Sequence, residues 1–380
     1  MPDSFTILDD LWGSITPIYM TNHLQAMRCS SLLVSAILLV SGISGCISQK
    51  PAERHAWTVM VYMAGDSSLS SFVDTNLDEM KKVGSSGELK IVVLADRLGE
   101  GNSNLYLVKK NELTDLTLKE IWIKRPNEVE TGRPETLTSF LNFSMKHYPA
   151  DHRMLVIWGH GNGWKGAAGD GEDMLSLPDM KRALSGFKMD IVAFDACSMA
   201  TMESYFELGD VTRYLVGSEK TVPTAGWPYG EILKKMPGKP PLEAGKMIVA
   251  EYLKAYEAKT KDPEKFSVVM SLLKTGTGLS DAFAGYANGN RTLDDSAALR
   301  FEQREFADLL SVVPDGNVSK MVNRTVVKLG RWNNPSGSMN VSRACGQAVY
   351  CPESGFDEAY NGTILAKSTG WNEMIYRSGR

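Results

Sequence analysis

The chain has 380 residues, 43% apolar and 23% charged, which is the balance of a globular protein with enough apolar mass for a sizeable core. With 41 basic against 45 acidic residues the formal net charge is −4. That leaves no basic surplus to grip a phosphate backbone across a broad face, so nucleic acid is excluded as a partner.

At the N-terminus, residues 31–46, "SLLVSAILLVSGISGC", carry no charge. The run is short for a membrane span, which needs roughly 20 apolar residues, and suits the apolar region of a signal peptide with Arg28 as its positive flank. Ile43-Ser44-Gly45-Cys46 resembles the lipobox of prokaryotic lipoproteins, which implies lipid attachment at Cys46 and an extracytoplasmic protein tethered to the membrane. The first 26 residues do not fit such a signal, so translation is expected to start at Met20 or Met27. The alternative is an anchoring segment that is kept intact.

After a polar tether, "WTVMVYMAG" from Trp57 reads as a fully apolar strand, 69–83 as a helix and "KIVVLAD" ending at Asp96 as a second strand. "NLYLVKK" (104–110) and "EIWIKR" (120–125) alternate and predict strands at a sheet edge. Then come a helix over 135–147, the strand "RMLVIWGHG", a short helix over 177–184 with Pro178 in its first turn, the strand "DIVAFDAC", a helix over 199–208 and the strand "RYLVGSE". Apolar strands separated by helices predict an α/β fold with a mostly parallel sheet covered on both faces. Beyond 238 the pattern gives a helix over 242–256, the strand "FSVVMSLL" (266–273), a helix over 297–313, a late strand in "GQAVYCP" and a closing helix in "GWNEMIYR".

His160 and Cys197 each directly follow an apolar strand. In an open parallel sheet ligands bind beyond the carboxyl ends of the strands, and adjacent strands lie about 4.8 Å apart, so these two side chains are expected to meet there. A thiol attacks a carbonyl as thiolate, and a nearby imidazole takes its proton and later hands one to the leaving amine. Gly161, without a side chain, lets its N–H approach a substrate carbonyl beside the N–H of Cys197. The plainer alternative makes Cys197 a small buried hydrophobe and His160 an ordinary loop residue. Cys345 and Cys351 are close enough in sequence for a small disulfide loop, which spacing alone does not decide.

"GHGNGW", followed by "DACSMATMESYFELGDVTRYLVGSEKTVPTAGWPYG", resembles the clostripain family of cysteine peptidases, of the caspase-like group with gingipains and legumains. The similarity covers most of 57–232 and resumes in "GQAVYCP" and "GWNEMIYR". The resemblance implies a caspase-like sheet sandwiched by helices, Cys197 as nucleophile, His160 as general acid and base, and Gly161 as an oxyanion donor. It places Asp195 in the pocket for the residue before the cut, where a carboxylate favours Arg or Lys. The alternative for Asp195 is an inward carboxylate that caps a backbone amide. Glu203 and Trp227 match family positions as well, as residues of the site or as braces for it. Lys165, ahead of "GAAGDGEDM", is a candidate for precursor cleavage.

The expected organisation is a leader over 1–46, a tether over 47–56, a catalytic domain over 57–237 and a mixed α/β extension over 238–380 that packs on it. The expected function is a lipid-anchored cysteine endopeptidase acting on peptide or protein substrates. The rival is an inactive binding or adhesion protein on the same fold. No metal or cofactor is expected to be required. Asp170, Glu172 and Asp173 leave calcium open but lack EF-hand spacing. Gly161, Gly163 and Gly166 also fit G-x-G-x-x-G, but the acidic, glycine-rich stretch after them opposes a phosphate-binding helix.

Overall fold

A strand that is apolar at every position has to be covered on both faces, and the longest such run, 57–65, lies at the heart of the structure. The computed structural model describes residues 54–379 except 124, 171–172, 259–265, 290 and 338. The leader, Cys46 and all but the last residues of the tether therefore lie outside the described residues.

The strands are β1 (His55–Gly65), β2 (Leu89–Arg97), β3 (Asn104–Lys109), β4 (Glu112–Leu116), β5 (Ala150–Trp158), β6 (Ala167–Asp170), β7 (Asp173–Leu175), β8 (Met189–Asp195), β9 (Thr212–Gly217), β10 (Val268–Lys274), β11 (Phe306–Asp308), β12 (Val326–Trp332) and β13 (Ala348–Tyr350). Nine of them form one sheet in the order β12-β10-β9-β8-β5-β1-β2-β3-β4. The five central strands, β9 to β2 in that order, are parallel. An antiparallel hairpin, β3 and β4, closes one edge, and antiparallel β10 and β12 close the other. The fold is thus α/β with a mostly parallel sheet, as the sequence pattern predicts.

The helices that cover the sheet are α1 (Ser70–Val83), α2 (Pro134–His147), α3 (Leu177–Leu184), α4 (Met202–Leu208), α5 (Tyr229–Lys235), α6 (Pro241–Ala258) and α7 (Leu279–Ala287). Side chains of β1 alternate between two apolar layers because successive strand residues point to opposite faces. Trp57, Val59, Val61 and Met63 pack with α1, α5 and α6, whereas Met60, Tyr62 and Ala64 pack with α2, α3, α4 and α7. Each fully buried side chain of this size stabilises the fold by about 1.5–3 kcal/mol. Ser176 starts α3 by accepting the Asp179 N–H at 3.2 Å, and Pro178 occupies the first turn, where it gives up no helical hydrogen bond.

Three expectations from the pattern need correction. The second strand of the edge hairpin is β4, over 112–116, and not 120–125. Asn111, at φ 61°, reverses the chain immediately after β3, and Thr117 then caps a 3₁₀ turn over Leu118–Glu120. Trp122 and Ile123 are left exposed. The helix expected from 199 begins at Met202, because Thr201 stays extended and its hydroxyl accepts the Ser204 N–H at 3.1 Å. The helix expected over 297–313 is instead β11, paired antiparallel with β13, and a short helix over Leu309–Val312 capped by Asp308. Among the described residues no helix is long and apolar enough to cross a membrane.

Candidate active site

Trp158 and Asp195 are the last register partners of β5 and β8. His160 and Cys197 each lie two residues further on, so the two chains leave the sheet side by side and carry imidazole and thiol to the same end. Both line a cleft of about 240 Å3, together with Leu69, Trp158, Gly159, Asp195, Ala196, Gly226 and residues 221–224. The structure thus brings His160, Cys197 and Asp195 onto one cleft, with Gly161 against the Cys197 backbone.

The glycines flanking His160 have separate reasons. Gly159 adopts φ 144° and lies so near β1 that a Cβ would be 3.0 Å from the Ala64 carbonyl oxygen. Gly161 is pressed against the Cys197 backbone, where a Cβ would stand 2.3 Å from Cys197 O and 2.9 Å from Cys197 N. Its carbonyl accepts the Gln303 side-chain amide at 3.1 Å. After Gly161 the chain makes a 3₁₀ turn over Gly163–Lys165 and the β6–β7 hairpin, so no helix N-terminus stands behind the glycines to hold a phosphate.

His160 is exposed, and its Nε2 lies 3.0 Å from Ser68 Oγ. Cys197 is half-buried. The Val222 N–H donates to its sulfur at 3.4 Å, and the thiol faces Val222 O at 3.8 Å. Burial pushes the Cys197 thiol above its ordinary value, opposed by the Val222 N–H and by the charge of Lys220. Ser198, next in the chain, sits at φ 52°, so the backbone turns sharply just past the sulfur.

Asp195 lines the cleft and also caps a backbone amide. Its Oδ2 accepts the Trp227 N–H at 3.1 Å and the Tyr229 hydroxyl at 3.0 Å. Gly226, at φ 62°, comes so close that a Cβ would lie 2.9 Å from Oδ2. Burial pushes the Asp195 carboxyl up to about 7, and the two hydrogen bonds only partly oppose it. Glu203 stands away from the cleft as a brace, its Oε1 accepting the Tyr360 hydroxyl at 2.7 Å and the Tyr350 N–H at 3.0 Å. Trp227, buried, serves Asp195 through its backbone.

Several further sequence candidates find definite places. Cys345 and Cys351 are not bonded to each other, since Cys345 Sγ donates to Gln347 O at 3.3 Å and Cys351 Sγ receives the Arg300 guanidinium at 3.7 Å. Lys165 pairs with Asp357 at 3.0 Å. Of the calcium candidates, Glu172 and the side chain of Asp170 lie outside the described residues, and Asp173 is exposed. Among the described residues, ligand-type atoms converge in Glu219, Asp308 and Cys345, and in Asp66, Asp96 and Glu128. The carboxylates there already accept backbone N–H groups, as Glu219 does from Gly346 and Glu128 from Gly101.

Sequence reasoning misses Ser68, Val222, Tyr229 and Lys220, whose partners in the site are 92, 25, 34 and 23 positions away or carry no motif of their own. The one faint signal is "SEK" directly after the apolar strand β9, a charged pair where the sheet ends.

Comparison with known proteins agrees with this geometry. The curated relative clostripain of Hathewaya histolytica is 27% identical over 219 residues, covering 47% of this chain and 42% of its own length, so the chain spans less than half of that relative. A secreted C11 cysteine protease from Bacteroides thetaiotaomicron, solved with an irreversible peptide inhibitor, superposes with TM-score 0.66 at 21% identity over 84% of this chain and 99% of that one. An inactive zymogen C11 protease from Parabacteroides distasonis gives TM-score 0.66 at 20% identity over 83% and 98%. These two establish the shared fold. The clostripain family model matches residues 61–277, more than half of the sequence, with both strand-tip residues inside it, and the chain therefore belongs to the clostripain family.

Proposed function

We propose that the protein is an exported, lipid-anchored cysteine endopeptidase that cleaves after Arg or Lys. The observation that carries this reading is the shared cleft, in which His160 and Cys197 stand at adjacent strand tips with Asp195 on the wall. The Cys197 sulfur attacks the scissile carbonyl carbon as its proton passes to His160. The carbonyl oxygen becomes an oxyanion, for which the N–H groups of Gly161 and Cys197, whose backbones lie against each other, are the candidate donors. The imidazolium then protonates the departing amine as the C–N bond breaks, leaving a thioester on Cys197. Water, deprotonated by His160, releases the acid and restores the thiol. A guanidinium or ammonium before the cut draws Asp195 into its ionised form and pairs with it.

The test is a profile of cut sites in a peptide library, with Cys197→Ala as control. Cuts after Arg and Lys that vanish in the control are expected. Equal cleavage by both proteins overturns the catalytic assignment, and cuts after neutral residues overturn the role of Asp195. The anchor is tested separately: Cys46→Ala should move the protein from the membrane fraction to the soluble one, and no change in fraction rejects lipidation at that residue.

A further inference from the structure

A lysine with its side chain wholly inside a protein needs a reason, because removing an ammonium from water is unfavourable by several kcal/mol. Lys220 is such a residue, 0% exposed. Its Nζ donates to Ser267 O at 2.8 Å and Thr221 O at 3.4 Å, pairs with Glu302 at 2.9 Å and lies 5.3 Å from the Phe266 ring centroid. An apolar side chain of similar length would fill this space without the burial penalty.

The main chain explains what the ammonium touches. The Lys220 carbonyl accepts the N–H of Ser198, the sharply turned residue after the nucleophile, at 3.0 Å. Thr221, whose carbonyl the ammonium binds, directly precedes Val222, whose N–H is the hydrogen-bond donor to the Cys197 sulfur. One residue thus holds the backbone just after the thiol, at Ser198, and just before the amide that faces it, at Thr221, and places its buried ammonium on that second segment. We propose that Lys220 is a positioning residue for the nucleophile, holding the Val222 amide on the Cys197 sulfur and supplying the buried cation that favours its thiolate. This rests on the reading of Cys197 as the nucleophile.

The charged and titratable groups around the sulfur are few. Lys220 favours the thiolate, Glu302 and Asp195 oppose it, Tyr252 is buried on the same side, and His160 stands across the cleft. Glu302 is partly exposed and offsets the ammonium, so the two members of one ion pair act on the sulfur in opposite directions. A merely structural bridge would behave otherwise, since either substitution breaks it in the same way.

The experiment is the pH dependence of Cys197 alkylation by iodoacetamide in the full chain, read by peptide-mapped mass spectrometry alongside melting curves. Lys220→Met should move the midpoint up and slow alkylation at neutral pH about tenfold. Lys220→Arg should restore part of that rate, and Glu302→Gln should move the midpoint down and speed the reaction. Unmoved midpoints, or shifts in the same direction for Lys220→Met and Glu302→Gln, overturn the proposal. If Lys220→Met does not fold, Glu302→Gln decides alone, a lowered midpoint supporting the proposal and an unchanged or raised one rejecting it. Because alkylation needs no peptide, midpoints that move in a protein that cuts nothing would reject the peptidase reading and leave only the effect of Lys220 on the Cys197 thiol. Cleavage with unmoved midpoints would do the reverse.

Discussion

The Gly161 main chain lies against that of Cys197, leaving 2.3 Å between a would-be Cβ and the Cys197 carbonyl oxygen. A clash with backbone cannot be relieved by a rotamer change. Gly161→Ala is expected to push its own amide away from the sulfur and reduce kcat/KM on the order of 100-fold, the loss typical of one oxyanion donor. Steady-state hydrolysis of an arginyl peptide checks this. Retained activity would mean the loop shifts freely and the Gly161 amide plays no part.

Asp195, held up near 7 by burial, gives a pH dependence with a definite sign. Below that value the carboxyl is neutral and cannot pair with a cation; above it the carboxylate is available. The ratio of kcat/KM for an Arg substrate to that for a neutral one should rise as pH passes through about 7 and level off above. Taking the ratio cancels ionisations common to both substrates. Asp195→Asn should flatten it, and a rise that persists in that variant would assign the effect elsewhere.

Ser68 Oγ lies 3.0 Å from His160 Nε2 and so fixes the orientation of the ring. Ser68→Ala is expected to lower kcat about fivefold with KM unchanged, from the roughly 1 kcal/mol of one neutral hydrogen bond. A change confined to KM would mean that the hydroxyl serves substrate binding instead.

Glu203 ties the helix that follows Cys197 to the far end of the chain through Tyr350 and Tyr360. Glu203→Ala leaves a buried hydroxyl and a buried amide without their acceptor, which is unfavourable by about 1–3 kcal/mol. Urea unfolding should show that loss, with a smaller one for Glu203→Gln, whose amide oxygen still accepts. Equal stability of all three proteins would remove Glu203 from the framework.

The central strands and the two reactive side chains are legible because their signals are local. The runs Met154–Trp158 and Ile191–Phe194 are apolar throughout, as strand segments covered on both faces must be, and each is followed within three residues by a group with distinctive chemistry. The hidden parts depend on partners far along the chain. Phe306 to Asp308 pair with Tyr350 to Ala348 across some 40 residues, which no window over 297–313 displays, and its helical spacing gives way to that pairing. "EIWIKR" alternates like a strand, yet the reversal at Asn111 has already supplied the partner for β3. Ser68 and Lys220 have no motif at all, and only the folded arrangement puts them beside the imidazole and the sulfur.

The sheet does not stop at β9. The antiparallel strand β10, drawn from beyond residue 238, occupies the outer side of β9, and β12 in turn covers β10. A fragment ending near 237 would present the outer main-chain groups of β9 to water as a bare, adhesive margin, along with the apolar flank that α6 now shields. Such a piece is expected to self-associate rather than fold alone, so residues 57–237 and the part beyond 238 must be expressed, purified and engineered as one inseparable body.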